Sequence, residues 1–168
     1  MNAGAYNGEI KDCILTATVL DQSGRVRILK ADELELGYRA SIIQKEEYIV
    51  LEAEFYFESG NPEGIKAHMR DLNSRRRDKQ PLEFPSAGST FKRPEGHYAG
   101  KLIEDAGLKG YRVGDAQVSE KHCGFVVNRG EATAEDVKKL IRDVQDKVWD
   151  EFQVKLEPEV RIIPENGL

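Results

Sequence analysis

The hydrophobic period of the chain changes abruptly after Phe57, and that change limits the possible folds more than any other feature. From Tyr48 to Phe57 the pattern alternates. Ile49, Leu51, Ala53, Phe55 and Phe57 fall on one face, and Glu52 and Glu54 fall on the other with Tyr48, Val50 and Tyr56. A sustained period of two predicts a strand. Ser59-Gly60-Asn61-Pro62-Glu63 then resets the chain. Asn61 can cap a helix, Pro62 suits the first helical position, and Glu63 favours the positive end of the helix dipole. Beyond this point Ile65, Met69 and Leu72 recur at helical spacing to about Arg77, with Lys66 and Arg70 pointing elsewhere. The reset is the candidate domain boundary, dividing residues 1–61 from residues 62–168.

The flanking segments show both periods. Cys13 to Leu20 is β-branched and apolar, Asp21-Gln22-Ser23-Gly24 is a turn signal, and Val26 to Leu29 returns, which predicts a hairpin. Ala31 to Leu36 reads as a short helical or turn segment ending at Gly37. Residues 80–89, rich in Pro, Gly and Ser, read as a loop held close to something. A short helix follows from Ala99 to Ala106, with Leu102, Ile103 and Ala106 inward and Gly107 as its C-terminal cap. Gly114 to Ser119 and Gly124 to Asn128 read as short strands. The longest helix begins at Thr133, with Asp136 in the capping-box position, and carries Val137, Leu140, Ile141, Val144, Val148 and Phe152. Val154 to Ile163 alternates as a last strand. Strands and helices interleave without a regular βαβ pattern or an internal repeat, so the fold class is α+β.

Composition removes several classes of function. The 168 residues are 39% hydrophobic and 33% charged, enough for one core and unlike a disordered or low-complexity chain. The balance of 25 Lys+Arg against 30 Asp+Glu, net -5, argues against a general nucleic-acid binder. No apolar run approaches the roughly 18 residues that span a membrane. The start, Met1 to Ile10, has no basic region followed by an apolar stretch, so no secretory signal is read there. Cys13 and Cys123 fit neither a disulfide scaffold nor a four-ligand zinc site. The expected location is the cytoplasm.

Few residues advertise chemistry by spacing. His68, His97 and His122 have no partner at metal-ligand spacing, so no metal site is expected. Gly107-Leu108-Lys109-Gly110 lacks the flanks of a dinucleotide fingerprint, and no phosphate-binding loop appears. Arg75-Arg76-Arg77-Asp78-Lys79 lies at a helix C-terminus, where cations complement the dipole. It reads either as a solvated helix end or as a site for one anionic ligand such as a diphosphate. Glu157 and Glu159 share a strand face with Arg161, which reads as an ion-paired solvent face. Ser89 follows Ala87-Gly88 with no Asp or His at a telling spacing, which gives a serine-hydrolase reading little support.

These segments nevertheless form an ordered set. Pro85-Ser86-Ala87-Gly88-Ser89-Thr90-Phe91-Lys92-Arg93-Pro94 resembles the most characteristic motif of the UDP-N-acetylenolpyruvoylglucosamine reductases. Ala3 to Tyr6, Gly37-Tyr38-Arg39-Ala40-Ser41, Ala99 to Glu104, Gly107 to Gly110, Gly114 to His122 and Leu156 to Arg161 resemble further motifs of that family, in the family's order. The resemblance is greatest to the branch with the shorter substrate domain, typical of Gram-positive bacteria.

The resemblance implies an FAD enzyme of peptidoglycan precursor synthesis. NADPH reduces the flavin, which then reduces the enolpyruvyl ether of UDP-N-acetylglucosamine to give UDP-N-acetylmuramate. It implies catalytic positions at Arg39, Ser89 and Glu159. It also implies flavin contacts at Asn2, Ala3, Gly4, Ala5 and Tyr6, and substrate contacts at Tyr38, Lys79, Lys92, Arg93 and His122. Lys79 corresponds to a family lysine on the UDP part, which would make the basic helix end a nucleotide-phosphate site. Arg93 stands where another branch has asparagine, and His122 stands near a glutamine of that branch. A free hydroxyl is a poor acid, so Ser89 is expected to need help from Lys92 or ordered water.

The sequence departs from the family at its front. The family's FAD-binding part begins well upstream, so residues 1–61 are expected to be the tail of a flavin-binding α+β domain, and residues 62–168 the C-terminal substrate-binding domain. Residues 62 to about 152 are expected to build their own core, whereas residues 1–61 are expected to lack sheet partners and to aggregate through open edges. Asn7 stands where the family usually has glycine, and Asn is the next best residue if that position needs positive φ. Two functions follow: a reductase completed by a missing N-terminal FAD-binding segment, or a UDP-sugar-binding fragment without flavin.

Overall fold

The computed structural model describes residues 1–163, so residues 164–168 of the second expected domain lie outside it. Two compact units are present, Met1–Leu72 and Asn73–Leu168. In the first, β1 (Gly4–Ala5) and β2 (Gly8–Glu9) form a small hairpin. Its turn residues Tyr6 and Asn7 have φ of 50° and 68°. Positive φ at both centres suits a two-residue hairpin, and Asn7 supplies the conformation expected of it.

β3 (Ile14–Leu20) and β4 (Val26–Lys30) form the expected hairpin, β3 lying at the centre of an antiparallel sheet of order β4-β3-β5. A short 3-10 turn, Ala31–Leu34, occupies the segment read as helical. The one-turn helix α1 (Ile42–Lys45) was not apparent from so short a segment. Ala17 and Val19 alternate inward from β3 to meet Leu29 and Leu34, with Ile42, Ile43 and Tyr48 packed around them.

β5 (Ile49–Phe55) is shorter than the alternation suggested, and all seven of its residues are exposed. Its register with β3 is broken by irregularities between Ile14 and Thr16 and between Thr18 and Val19. The helix α2 (Pro62–Lys79) buries no residue, so Ile65 and Met69 stay exposed despite their helical spacing. Asn61 caps it as expected, its Oδ1 accepting from the N–H groups of Glu63 and Gly64.

The second unit has the larger core. β6 (Ser86–Ser89) occupies the end of the segment read as a loop. α3 (Ala99–Asp105) is followed by Gly107 at φ 74°, as a C-terminal cap requires. The strand expected over residues 114–119 is instead a tight hairpin of β7 (Arg112–Val113) and β8 (Ala116–Val118), because Gly114 turns the chain at φ 55°. β9 (Phe125–Asn128) completes an antiparallel sheet of order β6-β9-β8-β7. α4 (Ala134–Phe152) packs Leu140, Ile141, Val144 and Val148 against Leu102, Ile103, Ala116, Val118 and Leu156. Its capping box forms as read: Thr133 Oγ1 accepts from the Asp136 N–H at 3.1 Å, and an Asp136 carboxylate oxygen accepts from the Thr133 N–H at 2.9 Å.

The last strand, expected over Val154 to Ile163, is absent as a strand. Gln153 leaves α4 at φ 56°, and the segment pairs with the chain only at an isolated antiparallel bridge between Phe91 and Pro158. Proline has no N–H to donate to a ladder, which confines pairing here to its neighbours. The alternation of the sequence reflects Leu156 reaching the core and Val154 and Val160 packing beside it.

Candidate functional site

Within the second unit, the bridge at Pro158 joins the two stretches that carry Ser89 and Glu159. The Glu159 N–H donates to the Thr90 carbonyl at 2.9 Å, and the Lys92 N–H donates to the Glu157 carbonyl at 2.8 Å. Lys92 and Glu157 also form a side-chain ion pair. Ser89 itself pairs with Phe125 of β9. Backbone hydrogen bonding therefore brings together Ser89, Lys92 and Glu159. The Ser89 hydroxyl, on an exposed residue, donates to the Phe91 carbonyl at 3.2 Å. The Lys92 ammonium is engaged by Glu157, so the structure does not show the expected help from Lys92 to Ser89.

The positions around this ladder follow from local geometry. Gly88 takes φ 87° inside the register shift between Ser86 and Ser89, a conformation that favours glycine. Arg93 lies over the Tyr98 ring at 4.0 Å and donates from Nε to the His97 carbonyl at 3.3 Å. His122 Nδ1 accepts from the Gly124 N–H at 3.1 Å, and its ring meets Phe125 edge-on at 5.1 Å. The Gly124 carbonyl accepts from the Thr90 N–H, which ties the His122 turn to the same ladder. A Cβ on Gly100 would come within 3.2 Å of the His122 ring, so glycine there gives the ring its space. Lys79 is exposed in the last turn of α2. The end of that helix is capped by Lys121, whose Nζ donates to the Arg77 carbonyl at 2.7 Å.

The first unit holds the remaining positions. Tyr38 and Arg39 form a two-residue turn closed by paired hydrogen bonds between Gly37 and Ala40. Arg39 adopts φ 54°, and its guanidinium lies 5.3 Å from the Tyr38 ring centre. Asn2 is fully buried. Its amide donates to Glu9 at 3.0 Å and its Oδ1 accepts from the Lys11 N–H at 3.0 Å. Hydrogen bonds from Lys11 and Asn2 hold the Glu9 carboxyl below the usual carboxylate range, with Arg39 adding a smaller electrostatic contribution. The side chain of Asn2 thus supports the hairpin internally.

Two features of this unit fit a flat cofactor such as FAD. Ala3, Gly4 and Ala5 carry side chains no larger than a methyl, which leaves room for a ligand to approach this strand closely. Ser41 Oγ is buried and has no hydrogen-bond partner, so a polar group from outside the chain would satisfy it. Ser41 and Thr90 lie inside motifs read from the sequence, but spacing does not single them out; burial and bonding do. Among the described residues no three His, Cys, Asp or Glu gather closely enough to hold a metal ion.

With this geometry established, comparison with known proteins is decisive. The model of the UDP-N-acetylenolpyruvoylglucosamine reductase C-terminal domain matches residues 80–163, half of the chain. The chain belongs to the UDP-N-acetylenolpyruvoylglucosamine reductase family. A reductase of that name from Lachnoclostridium phytofermentans is 63% identical over 98% of this chain and 53% of its own length. One from Agathobacter rectalis is 61% identical over 98% of this chain and 52% of its own. The crystal structure of the UDP-N-acetylenolpyruvylglucosamine reductase from Thermus caldophilus superimposes with a TM-score of 0.81. It is 36% identical, covering 96% of this chain and 58% of that one. The chain thus spans about half the length of the curated relatives it matches.

Proposed function

We propose that this chain is the C-terminal portion of an FAD-dependent, NADPH-linked reductase that converts UDP-N-acetylglucosamine enolpyruvate to UDP-N-acetylmuramate for peptidoglycan precursors. The observation that carries the reading is the ladder joining the Ser89 stretch to Glu159, in a chain 63% identical to a reductase of that name. Residues 1–61 belong to the FAD-binding part in this reading and residues 62–168 to the substrate-binding part. The reaction is cytoplasmic, and no described helix is long and apolar enough to cross a membrane.

FAD, when bound, would supply hydride chemistry sustained by NADPH, and Asn2, Ala3, Gly4, Ala5 and Tyr6 would hold part of it. The chain's own residues perform the rest. When a hydride adds to the methylene carbon of the enolpyruvyl group, the double-bond electron pair moves to the neighbouring carbon and its carboxylate. Arg39, with a fixed positive charge, stabilises that developing charge, an effect strongest where water is excluded. Glu159 hydrogen-bonds the enol oxygen, and its place is set by the bond from its N–H to Thr90. Ser89 gives its proton to the carbanionic carbon, first rotating its hydroxyl away from the Phe91 carbonyl, and regains a proton from solvent. Tyr38, Lys79, Lys92, Arg93 and His122 bind the substrate, Lys79 facing the diphosphate.

The exposed β5 supports an accompanying N-terminal FAD-binding segment. Ile49, Leu51, Phe55 and Phe57 are between 41% and 72% exposed, a contiguous apolar surface of the kind that marks an interface. The same observation favours a second reading for the chain by itself, a UDP-sugar-binding fragment without flavin. The visible absorbance spectrum of the purified chain separates them. A stoichiometric flavin band bleached by NADPH and restored by the enolpyruvyl substrate supports the reductase. A colourless chain that binds UDP-N-acetylglucosamine supports the second reading, and a chain that does neither overturns both.

A further inference from the structure

Thr90 is 2% exposed, and all three of its polar groups have partners on other stretches of chain, two on residues 124–126 and one on Glu159. Its N–H donates to the Gly124 carbonyl at 2.8 Å, and its carbonyl accepts from the Glu159 N–H at 2.9 Å. Its Oγ1 accepts from the Val126 N–H at 3.0 Å. The last bond has a structural origin. β6 meets β9 at Ser86↔Val127 and Ser89↔Phe125, so three steps along β6 span two along β9. That irregularity interrupts the ladder, and the Thr90 hydroxyl accepts from the Val126 N–H beside it. One pair further along, Lys92 and Glu157 are joined by a backbone bond and an ion pair.

We propose that Thr90, backed by the Lys92–Glu157 pair, is the positioning element that sets Ser89 against Glu159. The inference rests on the reading of Ser89 and Glu159 as reacting groups. Ser89 is held to β9 through Phe125, and Glu159 is held through Thr90. Thr90 is covalently next to the first and hydrogen-bonded to the second. Because its hydroxyl also secures β9, any slip of the 157–159 stretch must break either the Glu159 bond or the seat of Thr90 itself. Neither Thr90 nor Glu157 needs to touch the substrate to act in this way.

The test uses the full 168-residue chain and two kinds of measurement. Amide hydrogen exchange followed by NMR reports the Glu159 N–H, with the Val118 N–H, bonded to the Tyr111 carbonyl, as a control in the same unit. Calorimetry compares UDP-N-acetylglucosamine enolpyruvate with UDP-N-acetylglucosamine, which lacks the arm that Ser89 and Glu159 meet. Thr90→Val keeps the shape and removes the acceptor. It is expected to speed exchange at Glu159 about tenfold relative to Val118 and to weaken the enolpyruvyl ligand alone by a similar factor, about that of one unsatisfied buried group. Thr90→Ser, which keeps the hydroxyl, is expected to restore both. If Thr90→Val does not fold, Glu157→Gln at the exposed end of the ladder gives the same comparison with a smaller change.

Unchanged Glu159 exchange in the folded variants overturns the proposal, as does an equal loss of both ligands, which is the mark of a merely structural residue. Ser89→Ala and Glu159→Gln in the wild-type background keep the two readings apart. If they alter discrimination between the ligands but Thr90→Val and Glu157→Gln do not, the positioning role fails and the reductase reading stands. If they leave discrimination unchanged, the reading of Ser89 and Glu159 fails and the positioning role falls with it.

Discussion

The N–H of Glu159 donates to the carbonyl of Thr90, which places the carboxyl-bearing residue one peptide unit from Ser89 although the two are distant in sequence. This arrangement makes the stability of the second unit a condition for assembling the site. The core beneath the ladder is formed chiefly by α4 and Leu156.

Leu140→Ala is expected to destabilise the second unit by about 2–5 kcal/mol, since a fully buried side chain leaves a cavity. Met69→Ala on α2, an exposed position, is expected to change stability by no more than about 0.5 kcal/mol. Urea denaturation followed by the fluorescence of Trp149 in α4 measures the first, and far-ultraviolet circular dichroism, which sees both units, measures the second.

Thr133→Ala is expected to cost about 1 kcal/mol by removing the acceptor for the Asp136 N–H. The pH dependence of this cap has a definite sign. Bonds from the backbone and side chain of Thr133 hold the Asp136 carboxyl below its ordinary value. A depressed carboxyl contributes stability above its unfolded pKa of about 4 and loses that contribution as pH falls through the lower folded value. Melts at stepped pH below about 4 should therefore show a loss that Asp136→Asn shows to a smaller degree.

Two glycines with positive φ should respond differently to alanine. Gly107 has nothing within 4 Å of an added Cβ, so Gly107→Ala carries only conformational strain, about 1 kcal/mol. At Gly114 the added Cβ would come 2.7 Å from the Asp136 carboxyl carbon. Gly114→Ala should cost more than Gly107→Ala and also disturb the capping box, visible as a shifted Asp136 amide resonance.

Cys123 is 7% exposed, and burial pushes its thiol up, with the charge of Glu104 adding to the shift. Since the thiolate is the reacting form, modification by a disulfide reagent at neutral pH should be slow at Cys123. Denaturant should bring it to the rate of an unfolded thiol. A rapid reaction at Cys123 in the native chain would contradict the packing described here.

The features legible in the sequence were those written in local chemistry. The Thr133–Asp136 box, the Asn61 cap, the Gly107 terminus and the β3–β4 hairpin each depend on residues a few positions apart, so their spacing carries the information. The Phe91–Pro158 bridge is different: its partners lie far apart in sequence, and alternation at residues 154–163 suggested a strand where only one pair forms. The exposure of β5 was also hidden, because a period of two identifies faces without saying what covers them. The proposed roles of Ser89, Arg39 and Glu159 come from motif resemblance, while the burial of Thr90 in the second unit and of Ser41 in the first emerges only in three dimensions.

The acceptor role of His122 Nδ1 has a consequence for substitution at that position. With Nδ1 taking the Gly124 N–H, the neutral ring carries its proton on Nε2. A glutamine side chain ends in an amide nitrogen that is likewise a donor. If His122 binds the substrate as proposed, imidazole and carboxamide, unlike in size and acidity, would offer an N–H to the same ligand oxygen, and glutamine at this position should preserve that contact.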